Sequence, residues 1–306
     1  MRRPSALVSS LVAALLLGGC GMDFTDPVEP EQAASEIAVT GAADEPPVLE
    51  YETPLVVTET TNSTVWPGAG RLLEDGDEVL LNMYAEDGST GQILQDTYVA
   101  SPRLMRMDPA SLGPTLYQAL KGERVGARVL VTEEDGEVPL ALAVDVLPAR
   151  ADGEEIAPAE GLPSVSLDDG APSIEIPADS AAPDDLEVQP LVRGHGRQVE
   201  PGDMVTVRYS GVQWSNGDEF DSNWTTGTVL TAMFGVGTVI DGWEQGLLEQ
   251  PVGSRVLLVV PPSLAYAGTD SPLAEETLVF VIDILDSRSQ VAYDTSSGDL
   301  SETEEG

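Results

Sequence analysis

Residues 239–246 read Val-Ile-Asp-Gly-Trp-Glu-Gln-Gly, the third of five short segments that each place an aromatic residue beside a strand-like or turn-like pattern. The other four are Val-Arg-Tyr-Ser-Gly at 207–211, Gly-Asp-Glu-Phe-Asp-Ser at 217–222, Leu-Ala-Tyr-Ala-Gly at 264–268 and Thr-Leu-Val-Phe at 277–280. A compact fold can gather these aromatic side chains around one apolar concavity. Ligand sites are commonly apolar with a few placed polar groups, so the segments predict a binding pocket.

The patterns around these segments predict an antiparallel sheet with little helix. Val205, Val207 and Tyr209 alternate with polar residues, as half-buried strands do. Residues 242–248 are the best helix candidate, because Trp243 and Leu247 lie at i and i+4 on one face. The predicted fold class is therefore α+β, an antiparallel β-sheet wrapped around a short α-helix.

The predicted pocket has almost no acid, base or nucleophile; Asp221, directly after Phe220, is the one acid assigned to it. This composition favours a reaction without proton transfer. Rotation about an X-Pro amide is such a reaction, with a barrier of about 18–20 kcal/mol from amide resonance. A dry aromatic cavity can bind the twisted amide in preference to the planar one.

In their order, these segments resemble the FKBP-type peptidyl-prolyl cis-trans isomerases over about residues 186–288. The resemblance implies the FKBP-like fold, isomerisation of X-Pro bonds, and no cofactor or metal. It implies that Trp243 forms the pocket floor, and that the Tyr266 hydroxyl and the Ile240 N–H hold substrate carbonyls. The catalytic residues implied are Tyr209, Phe220, Asp221, Trp243, Tyr266 and Phe280, and the substrate-binding residues are Leu230, Val239, Ile240 and Ala265.

Each residue alone has a plainer interpretation. An aromatic residue in an apolar run is usually part of the core. One carboxylate in a chain with 53 acidic residues is most often a solvated surface group. The prediction therefore rests on the whole set of segments.

The N-terminus has the pattern of a secretory signal. Arg2 and Arg3 precede an apolar run at 6–17, and Leu-Gly-Gly precedes Cys20, the chain's only cysteine. The run is too short to span a membrane. This arrangement resembles the lipobox of bacterial lipoproteins and implies a lipid on Cys20 that anchors the protein at the extracytoplasmic face of the cell membrane. A plain secreted protein is the alternative.

The chain is strongly acidic, with a formal net charge of −39. Nucleic acid is excluded as a partner, because its binders need clustered Lys and Arg. His195 is the only histidine, so neither a zinc site nor a Ser-His-Asp triad is expected. A solubilising surface is the simplest interpretation of the charge; salt adaptation and loose cation binding are the alternatives.

Composition divides the chain into six parts. They are a lipoprotein signal peptide at 1–19, an acidic disordered tether at 20–50, a first domain at 51–150, an acidic Pro/Ala-rich linker at 151–185, the isomerase domain at 186–288 and an acidic tail at 289–306. Residues 173–176 are expected to add an edge strand to the isomerase domain.

The first domain contains three segments that parallel the second in the same order. They are 74–79 with 200–205, 125–130 with 252–257, and 143–147 with 281–285. These parallels predict two tandem copies of one fold; a shared β-rich pattern is the alternative. Met83, Leu94-Gln95 and Leu116 stand at the positions of Tyr209, Phe220-Asp221 and Trp243, so the first copy is predicted to be degenerate and non-catalytic.

The leading functional prediction is a lipid-anchored prolyl isomerase that assists the folding of exported proteins. Its expected partners are their proline-containing segments, the membrane through Cys20, and the macrolide ligands of the FKBP family. The runner-up is a non-catalytic chaperone or peptide-binding scaffold. A solute-capturing transport lipoprotein is disfavoured, because no alternating strand–helix pattern is present.

Overall fold

The computed structural model describes residues 36–42, 45–135, 138–168, 170–178 and 180–289. These residues form a six-stranded sheet, a seven-stranded sheet and two separate hairpins, all antiparallel. The predicted signal peptide, Cys20 and residues 290–306 lie outside the described part. None of the helices in that part is long and apolar enough to cross a membrane.

The first hairpin consists of β1 (Ala38–Thr40) and β2 (Val48–Glu50). The prediction of a disordered tether is therefore wrong for these residues. Leu49 of β2 is buried against Leu55 and Tyr84. The buried Arg128 also donates hydrogen bonds to the carbonyl oxygens of Gly41, Ala42 and Glu45. These contacts order a segment whose composition alone indicates disorder.

The first sheet has the strand order β3-β7-β8-β4-β5, with β6 paired to β4. Two short helices follow β6, and Asp108 caps the first by accepting hydrogen bonds from the N–H groups of Ala110 and Ser111. The second packs Leu116 and Leu120 into the core of this sheet. The elements are β3 (Thr61–Trp66), β4 (Glu78–Asp87), β5 (Gln92–Asp96), β6 (Arg103–Arg106), α1 (Pro109–Leu112), α2 (Pro114–Leu120), β7 (Arg128–Asp135) and β8 (Val138–Leu147).

The described residues of the segment predicted as an extended linker are folded. They contain β9 (Glu154–Glu155) and a hairpin of β10 (Ser164–Asp168) and β11 (Ala171–Glu175). Val165, Ile174 and neighbouring apolar residues pack against the cluster around Trp214 on the second sheet, which explains the order. The prediction that residues 173–176 add an edge strand to the isomerase domain is wrong. Strand β11 pairs with β10, and the strand that pairs with β12 at one edge of the seven-stranded sheet is β9.

The second sheet has the strand order β14-β13-β17-β16-β12-β9, with β15 paired to β13. A single helix packs on it, which confirms the predicted α+β class. Its elements are β12 (Glu187–Arg193), β13 (Asp203–Gln213), β14 (Glu219–Ser222), β15 (Leu230–Met233), α3 (Asp241–Leu247), β16 (Arg255–Val260) and β17 (Leu278–Ser289).

Glycines allow α3 to approach the sheet closely. A Cβ atom at Gly242 would lie 2.4 Å from Cγ1 of Val260, and one at Gly246 would lie 2.6 Å from Cδ2 of Leu258. Trp243 and Leu247 point into the core from the same helix and are buried. The Gly-Trp-Glu-Gln-Gly sequence thus seats the helix and its tryptophan against β16.

Residues 51–150, called the first half below, contact residues 186–289, called the second half, through apolar and polar groups. Leu80 and Ala149 of the first half form a small buried cluster with Leu285 of the second. Arg288, 1% exposed, pairs with Asp286. The same guanidinium donates hydrogen bonds to carbonyl oxygens at residues 97, 98 and 100 of the first half.

Candidate active site

A cavity of about 350 Å³ opens beside α3 in the second half. Every site residue predicted from the sequence lines it except Ala265, which packs against the adjoining core from the loop before Tyr266. Thr238 also lines the cavity and was missed by the sequence analysis. The lining residues are Tyr209, Phe220, Asp221, Leu230, Thr238, Val239, Ile240, Trp243, Tyr266 and Phe280.

Four strands, one helix and two loops supply these side chains. Tyr209 lies on β13 and Phe280 on the adjacent strand β17, while Leu230 lies on β15. Phe220 and Asp221 both belong to β14. Val239 and Ile240 lead into α3, and Tyr266 follows a 3₁₀ turn at Pro262–Leu264. The antiparallel pairing therefore gathers residues that are far apart in the sequence.

Four of the five aromatic rings that line the cavity are in edge-to-face contact. The centroids of Tyr209 and Trp243 are 5.0 Å apart, those of Trp243 and Phe280 5.3 Å, and those of Phe280 and Phe220 5.6 Å. Interplanar angles of 79–88° are the favoured T-shaped geometry. The rings thus hold one another in place before any substrate binds.

Gly211 makes room for this ring packing. It pairs with Asp221 on one side and Phe280 on the other. A Cβ atom at this position would lie 2.8 Å from Cζ of Phe220 and 2.9 Å from Cε1 of Phe280. The glycine that follows Val-Arg-Tyr-Ser is therefore required by the two phenylalanine rings.

One polar contact lies at the mouth of the cavity. The Tyr209 hydroxyl donates a 2.6 Å hydrogen bond to Oδ2 of Asp221. Burial, together with the hydrogen bond and negative charge of Asp221, raises the pKa of Tyr209 well above its ordinary value. The phenol therefore keeps its proton at neutral pH and acts as a donor.

Two further hydrogen-bond donors belong to residues that line the cavity. Within the described residues, neither the Tyr266 hydroxyl nor the Ile240 backbone N–H has a hydrogen-bond partner. Ile240 stands at the N-cap of α3, where its own carbonyl accepts from the N–H groups of Trp243 and Glu244. Both donors therefore belong to cavity-lining residues and are not used by another described residue.

Polar side chains behind the cavity fix its backbone, and the sequence analysis missed them. Asn223 accepts from the Tyr209 N–H at 2.8 Å, and its own N–H donates to the Tyr209 carbonyl. Glu244 accepts hydrogen bonds from the N–H groups of Gly235 and Gly237, which ties the loop before Ile240 to α3. An acid in the first turn of a helix was the available signal for Glu244.

Comparison with known proteins places this cavity inside one matched region. The family model described as FKBP-type peptidyl-prolyl cis-trans isomerase matches residues 195–285. A probable FK506-binding protein of Corynebacterium glutamicum is 40% identical over 116 residues, which cover 37% of this chain and 96% of that protein. An FK506-binding protein of Streptomyces anulatus is 39% identical over 118 residues, covering 37% and 94%.

Among solved structures, the crystal structure of AtFKBP13 is 31% identical, covers 34% of this chain and 94% of that one, and has a TM-score of 0.30. The residues matched by the family model include every residue that lines the cavity.

Proposed function

Because the chain belongs to the FKBP-type peptidyl-prolyl cis-trans isomerase family, and is an isomerase of that type, we propose that its aromatic cavity is where X-Pro bonds are isomerised. The observation that carries this proposal is the set of four interlocked rings around a cavity of about 350 Å³. A proline ring packs on the indole of Trp243. The walls exclude water from the amide that rotates.

The proposed mechanism is desolvation combined with binding of the twisted amide. The planar amide is polarised by resonance, which is the source of its barrier of about 18–20 kcal/mol. An apolar cavity solvates that polarised form less well than water does, and rigid walls that fit the twisted form bind the transition state preferentially. Each reduction of the barrier by about 1.4 kcal/mol gives a tenfold faster rate.

Hydrogen bonds orient the substrate in this mechanism. The Ile240 N–H and the Tyr266 hydroxyl donate to carbonyl oxygens on either side of the proline. Asp221, held by Tyr209 at 2.6 Å, provides a polar contact beside the rotating bond. No step transfers a proton to or from the protein.

A protease-coupled assay on an X-Pro peptide tests this function. Wild-type protein should accelerate exchange, and Tyr266→Phe should lower kcat/KM several-fold with an unchanged melting temperature. Tyr117→Phe is the matched control, because it also deletes one hydroxyl but lies on α2 in the first half. Equal losses in both variants, or no acceleration by the wild type, would contradict the assignment.

We also propose that the protein acts at the outer face of the cytoplasmic membrane on exported proteins. The Leu-Gly-Gly-Cys sequence at 17–20 supports this location. Mass spectrometry of the N-terminus tests it directly: the mature chain should begin with a lipid-modified Cys20, and Cys20→Ser should remain uncleaved there. An unmodified N-terminus far from Cys20 would contradict the anchor.

We further propose that residues 51–150 are a second, non-catalytic copy of the isomerase fold. Strands β3, β7, β8, β4 and β5 are in the same order as β12, β16, β17, β13 and β14, which supports this proposal. Two ion pairs also correspond: Arg128 with Asp145 at 2.5 Å and Arg255 with Asp283 at 2.6 Å. A fragment of residues 51–150 should leave the uncatalysed exchange rate unchanged.

A further inference from the structure

A second cavity, of about 320 Å³, lies where the first half, the β10–β11 hairpin and the second half meet. Four arginines line it, although the whole chain has only 14 Lys and Arg and a net charge of −39. Three come from the first half and one from β13. The arginines are Arg71, Arg106, Arg150 and Arg208.

Two of these arginines neutralise the nearest carboxylates. Arg71 pairs with Asp77 at 2.5 Å, and Arg208 pairs with Glu78 at 2.6 Å. Burial alone would raise the pKa of Asp77, but the Glu74 N–H, Arg71 and the charge of Arg150 together hold it below its ordinary value. Both acids are therefore occupied by cations already present.

The other two arginines leave an excess of positive charge. Arg106 and Arg150 are exposed and form no ion pair within the described part of the chain. Among the described residues, the Arg106 guanidinium donates only to the Gly76 carbonyl, at 2.9 Å. Asp168 is the one remaining carboxylate in the lining. Two guanidinium groups thus face one acid.

Two buried residues, Arg208 and Trp224, also line this cavity. The guanidinium of Arg208 stacks 3.8 Å from the ring centroid of Trp224, and these residues are 2% and 9% exposed. Neither Nε of Arg208 nor Nε1 of Trp224 has a hydrogen-bond partner among the described residues. Both nitrogen atoms are closed off from the cavity by burial, so the exposed Arg106 and Arg150 supply the donors that a ligand can reach.

We propose that this cavity binds a small oxyanion of the phosphate or sulfate type, held between Arg106 and Arg150. Guanidinium groups present a planar fork of donors that matches such anions in bidentate geometry. A metal ion is positively charged and would need several His, Cys, Asp or Glu ligands instead of arginines. No group of three such side chains able to hold one occurs in the described residues.

The position of the site means that a bound anion stabilises the folded chain. The lining comes from the first half, the β10–β11 hairpin and the second half. An anion bound there bridges three segments that are distant in sequence, and it stabilises the assembled arrangement by mass action. The site does not overlap the isomerase cavity in any lining residue.

Isothermal titration calorimetry of the full chain with inorganic phosphate tests the proposal. Ionic strength is held with NaCl at about 0.15 M, where distant acids are screened beyond about 8 Å. The wild type should bind one phosphate per chain, and sulfate should compete for the same site. Glycerol phosphate as a third titrant distinguishes an organic phosphate from the free ion, and saturable binding of either supports the site.

Variants at exposed positions locate the site. Arg106→Gln and Arg150→Gln should each weaken binding at least tenfold. Arg103→Gln is the matched control, because Arg103 is equally exposed on the same strand β6 but does not line the cavity. All three variants should retain wild-type isomerase activity. Absence of saturable binding by the wild type, or equal affinity in Arg103→Gln and both other variants, overturns the proposal.

Discussion

The hydroxyl of Tyr209 on β13 donates a 2.6 Å hydrogen bond to Oδ2 of Asp221 on the adjacent strand β14. In the first half, under the proposed alignment, Met83 and Gln95 stand at these positions on β4 and β5. They form only a 3.8 Å contact between the Gln95 amide nitrogen and the Met83 sulfur. The same strand pairing thus carries a charge-assisted contact in one half and a weak one in the other.

Isomerase activity should vary little between about pH 6 and 9. Burial and the Asp221 carboxylate raise the pKa of Tyr209 above the ordinary tyrosine value of about 10. The protonated phenol that donates the hydrogen bond therefore persists to higher pH in the folded state. Its contribution to activity is lost only above that ordinary value. A profile of kcat/KM against pH measures this.

Tyr209→Phe is the companion variant for that profile. It should lower kcat/KM several-fold by a similar factor at every pH, because it removes a donor that does not titrate in this range. A bell-shaped wild-type profile centred near neutrality would instead point to acid–base catalysis, and it would contradict the mechanism proposed here.

Gly242→Ala should destabilise the protein by about 1–3 kcal/mol, as overpacking of a core does. The new Cβ would lie 2.4 Å from Cγ1 of Val260, a buried β-branched side chain with little rotamer freedom. Displacement of α3 should also reduce kcat/KM through Trp243. Urea unfolding measures the loss. Gln245→Ala is the control, since Gln245 is exposed on the same helix; equal stability of both variants would refute the close-packing argument.

The aromatic cavity was predictable because each of its five segments carries a local signal. Phe220 and Asp221 follow a turn-like sequence, and Trp243 lies in a short helical pattern, so the set could be recognised without knowing the contacts. Ala265 was placed at the cavity by the family resemblance, but it is not among the lining residues and packs on the adjoining core. The motif Leu-Ala-Tyr-Ala-Gly does not show which of two adjacent side chains reaches a cavity.

The ordered linker and the arginine-lined cavity could not be predicted in the same way. Strands β10 and β11 are five residues each and lie within a segment rich in Pro, Ala and acidic residues. What orders them is tertiary: Val165 and Ile174 cover the cluster around Trp214. Likewise, the four arginines of the second cavity are scattered from Arg71 to Arg208, and only the packing of the halves brings them together.

Arg288→Leu should cost about 3–5 kcal/mol of stability, the range found when one partner of a buried ion pair is removed. Asp286 would lose its cation, and three carbonyl oxygens of the first half would lose their donor. Differential scanning calorimetry measures the fall in melting temperature. Arg193→Leu on β12 is the control, because Arg193 is exposed. Since Arg288 lies outside the isomerase cavity, kcat/KM at low temperature should stay near the wild-type value. A melting temperature equal to that of the control would mean that Arg288 does not hold the two halves together.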